Sequence, residues 1–309
     1  MYKIFALLFI CITCNADVEM LQRTKVMMGT FVSLSVPKQN KPLLKPAFEI
    51  VENVDNSLSS FKENSSISKL NKDKTVELDA YAYEAVTLSL KYYQQTDGYF
   101  NIAIGKITKD LYRFGEKERL ATSKELQKSS TSLEDLQLEN KRAYINKSMK
   151  LDLGGMGKGF AVDKVNEFLK KRKLKKAVIA LSGDIRCIGE CTIAVGNPLD
   201  TDRPLAFFEV HDSGISTSGT YNRYIQSQKY NHLINPKTKV SQQQFLSVTL
   251  ISKLPSATLD AYATAVSVMP KDKAYSFLAS HDLAYIILQT DKRLVVSKNI
   301  DEYVKNLRF

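Results

Sequence analysis

No low-complexity tract, internal repeat or linker-like stretch interrupts this chain of 309 residues, and cysteine and histidine occur only four and three times. The missing repeats and biased segments exclude a fibrous or disordered protein, and the missing linker favours a single domain. With 44% hydrophobic and 25% charged residues, the composition is that of an ordinary globular protein with ample core.

The apolar run near the N-terminus, residues 4–12, is too short to cross a bilayer as a mature helix. A lysine precedes it and small and polar residues follow it, which is the layout of a secretory signal. Cleavage after Ala16 would divide the chain into a signal peptide, residues 1–16, and a mature domain, residues 17–309. A lipidated Cys14 is the alternative, although the two bulky residues before it fit the usual small-residue pattern poorly. In either case we expect an exported protein.

Export leaves two cysteines, Cys187 and Cys191, in the mature chain. They flank a three-residue loop centred on Gly189, which suits a tight hairpin. Flanking positions of such a hairpin can face each other at disulfide separation, so in an oxidising compartment we predict a Cys187–Cys191 bridge. Two free thiols are the alternative. A metal site is disfavoured because no histidine or further cysteine lies nearby in the sequence.

The formal net charge is +11, or 11 − 1 = +10 once the single lysine of the signal is removed. A basic chain can bind nucleic acid, an acidic membrane surface or an anionic ligand. Much of the excess lies in the run KKRKLKK, residues 170–176, where lysines suit a helix end and form a solvated face. Because an exported protein has little access to nucleic acid, we expect no nucleic-acid partner.

Apolar spacing predicts helices and strands that mix without regular alternation. Helices are expected at residues 45–58 and 80–96, from the glycine-rich turn to residue 171, and at residues 256–269. Strands are expected at residues 26–36, 150–153, 177–181, 191–195, 206–210, 245–252, 283–288 and 294–297. A glycine-bearing turn is expected at residues 215–224. This irregular order favours an α+β fold with mixed sheets and packed helices over a doubly wound sheet.

The stretch LDLGGMGKGFAVDKV, residues 151–165, carries four glycines and a lysine within six positions. It is not a P-loop, because Asp152 stands where that motif has its first glycine and Gly159 where it has serine or threonine. Glycines that expose backbone N–H groups at the start of a helix favour an anion such as a phosphate. The alternative is a tight strand-to-helix turn with an exposed lysine, Lys158.

The predicted helix at residues 256–269 carries Asp260 and Thr264 four positions apart, and therefore on one face. Its other residues are mostly small or apolar, so a carboxylate there needs a partner. A hard cation with oxygen ligands, such as Mg²⁺, would supply one. The alternative is a local cap or salt bridge for Asp260 and a Thr264 hydroxyl bonded back to its own helix.

Two further stretches carry candidate binding residues. His232 in NHLINPKTK is the one histidine with convergent polar neighbours in the sequence, and it suits a general acid or base or a phosphate ligand. Ser218 and Gly219 in SGTYNRY suggest a second backbone N–H nest, with Arg223 as a phosphate or structural partner.

The order of these blocks resembles the ApbE family, the FAD:protein FMN transferases. The resemblance covers about residues 28–269, which is nearly the whole mature chain. The blocks that carry it are MGT, SLSSFKENSSISKLN, GYFNIAIG, LDLGGMGKGFAVD, SGDIR, ISTSGTYNRY, HLINPKT and LDAYATAV.

The resemblance implies a single ApbE-like domain in an exported bacterial enzyme of the periplasm, attached to the inner membrane if Cys14 is lipidated. FAD would be its substrate and Mg²⁺ its cofactor. The enzyme would move FMN from FAD to a threonine or serine hydroxyl of an exported acceptor protein, such as a subunit of a membrane redox complex. A phosphoester-linked flavin would form and AMP would be released.

Matching the family motifs residue by residue also assigns roles. The metal ligands would be the side chains of Asp260 and Thr264 and the backbone carbonyl of Gly157. The residues around the flavin and its pyrophosphate would be Met28, Asn101, Lys158, Asp163, Ser218, Gly219 and His232. His232 and Asp163 are the two candidates for the base that takes the acceptor proton.

Several positions depart from the family pattern. Asn101 and Asn235 stand where the family usually has aspartate, and Ser182 replaces the first residue of a Gly-Gly pair. An asparagine keeps the shape of an aspartate but loses its charge. The departures favour one alternative, an exported protein that binds FAD without turning it over. An FAD pyrophosphatase that yields FMN and AMP is another alternative, in which water replaces the acceptor hydroxyl. A basic cell-surface protein without FAD is a third.

Overall fold

The computed structural model describes residues 18–221 and 223–309, so the predicted signal peptide and Cys14 lie outside the described residues. The helices are α1 (Leu44–Leu58), α2 (Ser66–Asp73), α3 (Ala80–Gln95), α4 (Ser123–Lys128), α5 (Gly157–Lys171), α6 (Ser256–Val268) and α7 (Lys271–Ala279). Within the described ranges, none of the helices combines the length and the apolar character needed to span a membrane.

The strands form three sheets, in each of which neighbouring strands run antiparallel. The large sheet has the order β1 (Met20–Met27), β2 (Thr30–Pro37), β6 (Ala177–Leu181), β7 (Asp184–Ile188), β10 (Gly214–Gly219), β11 (Phe245–Ser252), β12 (Ala284–Gln289), β13 (Leu294–Val296). The two small sheets have the orders β14 (Lys305–Arg308), β9 (Ala206–His211), β8 (Glu190–Val195), and β3 (Thr75–Glu77), β5 (Arg142–Tyr144), β4 (Gln137–Glu139). Helices and antiparallel sheets in one domain confirm the predicted α+β class.

Strand β6, with the sequence AVIAL, shows how the layers are arranged. Ala177, Ile179 and Leu181 pack into the core shared with the helices. The alternate residues Val178 and Ala180 pack into a second core, shared with the small sheet of β8 and β9. A strand that is buried on both faces needs a continuous apolar run, which is what this segment has. The large sheet is thus the middle layer between helices and a small sheet.

The predicted single strand at residues 26–36 is wrong, because it is a hairpin. Strand β1 ends at Met27 and β2 begins at Thr30, with Met28 and Gly29 as the two turn residues. Their φ angles are 52° and 68°, as a two-residue type I′ turn requires. The alternating pattern continues across the turn, and methionine is not a usual turn residue. The reversal of chain direction therefore could not be predicted from the sequence.

Two other local predictions are also corrected. The expected turn at residues 215–224 begins with strand β10, which pairs with β7 on one side and β11 on the other. The expected strand at residues 150–153 is extended but joins no ladder. Its backbone is held instead by single contacts, in which the Leu151 N–H donates to Asn71 Oδ1 at 2.6 Å and the Asp152 N–H donates to the Ile102 carbonyl oxygen at 2.8 Å.

The predicted disulfide between Cys187 and Cys191 is confirmed, with the two Cα atoms 6.0 Å apart. The predicted hairpin around it is wrong, because β7 belongs to the large sheet and β8 to a small one. Gly189, with φ of 74°, turns the chain from one sheet into the other. The bridge therefore closes the corner at which the chain changes layers.

Removing this bridge is expected to lower the free energy of unfolding. A Cys187→Ala/Cys191→Ala variant should lose about 2 kcal/mol, the loop-closure value for so short a loop. Urea unfolding of the native and variant proteins under oxidising conditions measures the difference. A reductant should lower the stability of the native protein and leave the variant unchanged, and equal stability of the two oxidised proteins would contradict the expectation.

Candidate active site

Three charged side chains meet where helices α5 and α6 pack against the start of strand β7. Lys158 Nζ lies 2.9 Å from Asp184 Oδ2 and 3.3 Å from Asp260 Oδ2. Both carboxylates are buried, whereas 28% of the Lys158 side chain is exposed, so the lysine lies at the border between the core and solvent. Ser216 Oγ in β10 donates to Asp184 Oδ1 at 2.6 Å and fixes that carboxylate. We call Lys158, Asp184 and Asp260 the charged triad.

The environment of the charged triad shifts the pKa values of Asp260 and Lys158. Burial, followed by the neighbouring Asp184 carboxylate, raises the pKa of Asp260 to about 7, although Lys158 and the Gly159 N–H oppose the shift. Burial alone would lower the pKa of Lys158, but the two carboxylates raise it above its ordinary value. The lysine therefore stays charged, and two buried carboxylates share one positive charge. A cation bound beside Asp260 would favour the ionised form of this carboxylate.

Gly159 explains how α6 comes so close to α5. A Cβ at this position would lie 2.3 Å from the Ser256 carbonyl oxygen and 2.8 Å from Asp260 Cβ. The close approach lets the Gly159 N–H donate to Asp260 Oδ2 at 3.0 Å. This glycine is thus required for helix packing as well as for the exposed backbone that the sequence predicted.

The Thr264 hydroxyl lies one turn along α6 from Asp260 and donates to the Gly155 carbonyl oxygen at 3.2 Å. A carboxylate, a hydroxyl and a backbone carbonyl are oxygen donors of the kind that Mg²⁺ prefers, so these residues fit that ion. The Gly155 carbonyl is a donor that the sequence did not suggest. The Gly157 carbonyl, which the family resemblance implies as a ligand, belongs to the first residue of α5.

Asp163, one of the two candidate bases, lies at the N-terminus of α6. Its Oδ1 accepts the Ser256 N–H at 2.7 Å and its Oδ2 accepts the Ala257 N–H at 2.9 Å. Arg186 Nη2 lies 3.8 Å from the same carboxylate, and burial raises the pKa of Asp163. Both oxygens therefore cap the helix that carries Asp260, which is a positioning role.

His232, the other candidate base, is held by a backbone carbonyl. Its Nδ1 lies 3.1 Å from the Arg223 carbonyl oxygen. Because a carbonyl only accepts, the neutral ring carries its proton on Nδ1 and leaves Nε2 as the basic nitrogen. Burial, together with the charges of Arg223 and Lys158, lowers the pKa of His232 to about 4. At neutral pH the ring is therefore uncharged and able to accept a proton.

Acidification is expected to destabilise the protein through His232. Its pKa is about 4 in the folded chain against an ordinary 6.5, so the unfolded chain takes up a proton first as the pH falls. Stability should be lost between these two values, reaching about 3 kcal/mol, and no further loss from this group is expected below the lower one.

Urea unfolding across this pH range measures how much unfolding free energy the native protein and a His232→Gln variant each lose. The native protein should lose more, and the difference is the effect of the ring. His211→Gln is the matched control, because the His211 side chain is 63% exposed. Equal losses in the native and His232→Gln proteins would show that the ring does not resist protonation.

Two more cations border the site next to the histidine. Burial lowers the pKa of Arg223, and the Asp152 carboxylate partly offsets this. Lys109 Nζ lies 3.6 Å from Asp152 Oδ2 and 3.5 Å from the centre of the Phe61 ring, a side chain that is 49% exposed. Together with Lys158, these groups make a cationic surround that suits a polyanion.

The remaining predicted residues lie at two edges of the site. A Cβ at Gly157 would lie 4.0 Å from Met28 Cε, so the β1–β2 turn reaches the start of α5. Ser218 and Gly219 are opposite Val248 and Ser247 in the β10–β11 ladder. They are extended strand residues, so the prediction of a second backbone nest is wrong.

The two asparagines that replace family aspartates use their amide groups locally. Asn101 Oδ1 accepts the Ala103 N–H at 2.8 Å, and its Nδ2 donates to the Thr131 carbonyl oxygen at 2.8 Å. Asn235 Nδ2 donates to the Val268 carbonyl oxygen at 2.7 Å. An ionised aspartate has no such donor. Both asparagines therefore stabilise loops through contacts that an aspartate could not make.

A separate pocket of about 360 Å³ opens beside Asn101, and Thr131, Pro236 and Lys237 also line it. No member of the charged triad lines this pocket. Gly155 and Thr264 do not line it either. We therefore assign the chemistry to the triad and its surround.

Two residues of the site were missed by the sequence reasoning. Asp184 lies in the block SGDIR, which was noted only as a family motif, and it faces the helices because β7 pairs with β10 at Ser216. Gly155 was missed because it is one of four glycines in this stretch. The one signal for Asp184 available in the sequence was an acidic residue at the start of an apolar segment.

Comparison with known proteins gives consistent relatives. The model of the ApbE family matches residues 28–287. A protein of Buchnera aphidicola subsp. Schizaphis graminum named FAD:protein FMN transferase is 26% identical, and the alignment covers 93% of this chain and 91% of that protein. The protein of that name from Escherichia coli K12 is 25% identical over 84% of this chain and 82% of its own length.

Solved structures show the same fold. The ApbE protein from Thermotoga maritima superposes with a TM-score of 0.85 at 22% identity, covering 93% of this chain and all of that one. The flavin transferase ApbE from Vibrio cholerae superposes with a TM-score of 0.80 at 22% identity, covering 93% of this chain and 99% of that one. Since the family match spans most of the sequence, the chain belongs to the ApbE family.

Proposed function

We propose that this chain is an FAD:protein FMN transferase that uses Mg²⁺ and moves FMN from FAD to a threonine or serine hydroxyl of an exported acceptor protein. AMP is the second product. The names of its relatives support the transfer of FMN. The observation that carries the proposal is the position of Asp260 one helical turn from Thr264, whose hydroxyl meets the Gly155 carbonyl, beside the cationic surround. Such a site suits a pyrophosphate and a hard cation together.

The side chains supply the proton transfer and most of the charge. His232 Nε2 accepts the proton of the acceptor hydroxyl, whose oxygen then bonds to the phosphorus on the FMN side of the pyrophosphate. The bond from that phosphorus to the bridging oxygen breaks, and the bridging oxygen leaves with AMP. Lys158, Arg223 and Lys109 offset the negative charge of the pyrophosphate and of the leaving phosphate. Asp163 acts indirectly, by capping the helix that carries Asp260.

Asp260, Thr264 and the Gly155 carbonyl would hold the metal ion. Mg²⁺ at this place supplies Lewis-acid stabilisation of phosphate oxygens. Met28, Ser218 and Gly219 are proposed to contact the flavin nucleotide from the two edges of the site, and Asn101 from the pocket that it lines. The Gly157 carbonyl at the start of α5, the backbone ligand that the family resemblance implies, would be a further oxygen donor.

The cellular setting is part of the proposal. Residues 1–16 would direct export to the periplasm. Either cleavage after Ala16 or lipidation of Cys14 would follow. The Cys187–Cys191 bridge supports an oxidising compartment. The acceptor would be a subunit of a membrane redox complex, because a covalently held flavin serves electron transfer.

Incubation of the protein with FAD and Mg²⁺, with and without acceptor peptides, tests the proposal. Each threonine peptide is paired with a threonine→valine control, and AMP release and peptide mass are followed. A peptide that gains the mass of a phosphoester-linked FMN, while its valine control does not, is the expected result. AMP without a modified peptide would indicate the pyrophosphatase. Bound FAD without AMP release would indicate a binding protein and would overturn the proposal that this chain is an enzyme.

A further inference from the structure

One carboxylate oxygen of Asp184 has Lys158 as its only charged partner among the described residues. The residue is 1% exposed, and Ser216 Oγ satisfies its Oδ1 at 2.6 Å. Its Oδ2 has no aligned hydrogen-bond donor among the described residues and faces the Lys158 ammonium at 2.9 Å. A buried carboxylate oxygen is costly to leave unbonded. A partner for this oxygen is therefore needed, and Lys158 is the charged group in place to be that partner.

Lys158 is shared unequally between two carboxylates. Its Nζ is 2.9 Å from Asp184 Oδ2 but 3.3 Å and 3.4 Å from the two oxygens of Asp260. A divalent cation bound by Asp260 would repel an ammonium held on the same carboxylate. The lysine can remain in the site beside such a cation only if another carboxylate holds it.

Asp184 is suited to that task because it is fixed independently of the metal-binding residues. It begins β7 in the middle of the large sheet, and its Ser216 contact comes from the adjacent strand β10. Asp260 has its own backbone donor, the Gly159 N–H at 3.0 Å, and does not depend on Lys158 for a partner. Asp184 can thus hold Lys158 while Asp260 binds a cation, and each carboxylate keeps a hydrogen-bond donor of its own.

We propose that Asp184 is the positioning residue of Lys158, which it retains when a divalent cation occupies Asp260. The cation and the lysine then act on the same pyrophosphate instead of competing for one carboxylate. This inference deepens the proposed function and rests on it for the cation at Asp260. It assigns to Asp184 a role that acts through the lysine and not through contact with the reacting atoms.

Binding of Mn²⁺ in the absence of FAD tests the inference. Free Mn²⁺ is measured by electron paramagnetic resonance during titration of the native protein, Asp184→Asn, Lys158→Gln and the double variant. Asp184→Asn should weaken Mn²⁺ binding by roughly tenfold, because the lysine is left with Asp260 alone. Lys158→Gln removes the competing charge, keeps amide donors for both carboxylates, and should strengthen binding. In the Lys158→Gln background, Asp184→Asn should change the affinity by less than about twofold.

Three outcomes would overturn the inference. Unchanged Mn²⁺ affinity in Asp184→Asn would show that the lysine does not need this carboxylate. An equal loss in both backgrounds would show that Asp184 attracts the cation directly, by charge or as a ligand. A native protein that binds no Mn²⁺ would remove the metal from the site, while the assay of FMN transfer would judge the proposed function separately.

A matched control distinguishes positioning from a general loss of negative charge. Asp97 also contacts two lysines, but its side chain is 65% exposed. Asp97→Asn should leave Mn²⁺ affinity unchanged, and circular dichroism should show native secondary structure in every variant. Thermal unfolding with and without Mg²⁺ gives a second measure, in which Asp184→Asn should show a smaller Mg²⁺-dependent rise in Tm than the native protein.

Discussion

Replacing Asp260 by asparagine is expected to slow FMN transfer by about a thousandfold, which corresponds to about 4 kcal/mol of transition-state stabilisation. The asparagine keeps the shape of the side chain but removes the one carboxylate that faces Thr264 on this helix. An amide is a weak ligand for a hard cation, so the metal would be lost at working concentrations. The rate of FMN transfer to an acceptor at saturating FAD and increasing Mg²⁺ measures the effect.

The fold of Asp260→Asn should survive, because Lys158 still pairs with Asp184 at 2.9 Å. An unchanged free energy of unfolding in Asp260→Asn would therefore show that the slower transfer comes from loss of the carboxylate ligand and not from loss of the fold. The exposed Asp97→Asn variant is the control and should retain native activity. A rate within tenfold of the native value at saturating Mg²⁺ would contradict the place of Asp260 in the reaction.

A methyl group at Gly159 is expected to lower the free energy of unfolding by about 3 kcal/mol, at the upper end of what overpacking costs. Its Cβ would lie 2.3 Å from the Ser256 carbonyl oxygen, which is backbone and cannot rotate away. Helix α6 would have to move, and the Gly159 N–H would lose its contact with Asp260 Oδ2. The better helix propensity of alanine, worth about 1 kcal/mol, would not compensate.

Gly157→Ala in the same helix is the matched control. A Cβ there would meet nothing closer than Met28 Cε at 4.0 Å, so this variant should be as stable as the native protein or slightly more stable. Urea unfolding of both variants checks the contrast. Equal stability of Gly159→Ala and Gly157→Ala would mean that α5 and α6 are less tightly packed than the structure shows.

The sequence was most informative where chemistry follows from spacing within one element. Asp260 and Thr264 share a face because they are four residues apart on α6, and the segments AVIAL and FLSVTLIS are strands at the predicted positions, β6 and β11. The bridge between Cys187 and Cys191 was also predictable, although the predicted hairpin was not. These features depend on neighbours in the chain.

Features that depend on the pairing of distant strands were not predictable from one sequence. Asp184 faces Lys158 because β7 lies between β6 and β10, an order that no local pattern specifies. The turn at Met28 was missed because methionine rarely takes a positive φ, yet Met28 has a φ of 52° in this turn. Gly155 was missed because its carbonyl gains a role only from Thr264, more than a hundred residues later.

The cap on α6 has a consequence for how relatives can exchange parts. Asp163 on α5 holds the first N–H groups of α6, and Gly159 and Lys158 on α5 contact Asp260 further along α6. The two helices are therefore one interlocked block, whose halves have been matched to each other. A chimera that imports α6 alone from another family member would inherit mismatched caps and contacts. A chimera that imports both helices together would carry the contacts around Asp260 intact into a new sheet.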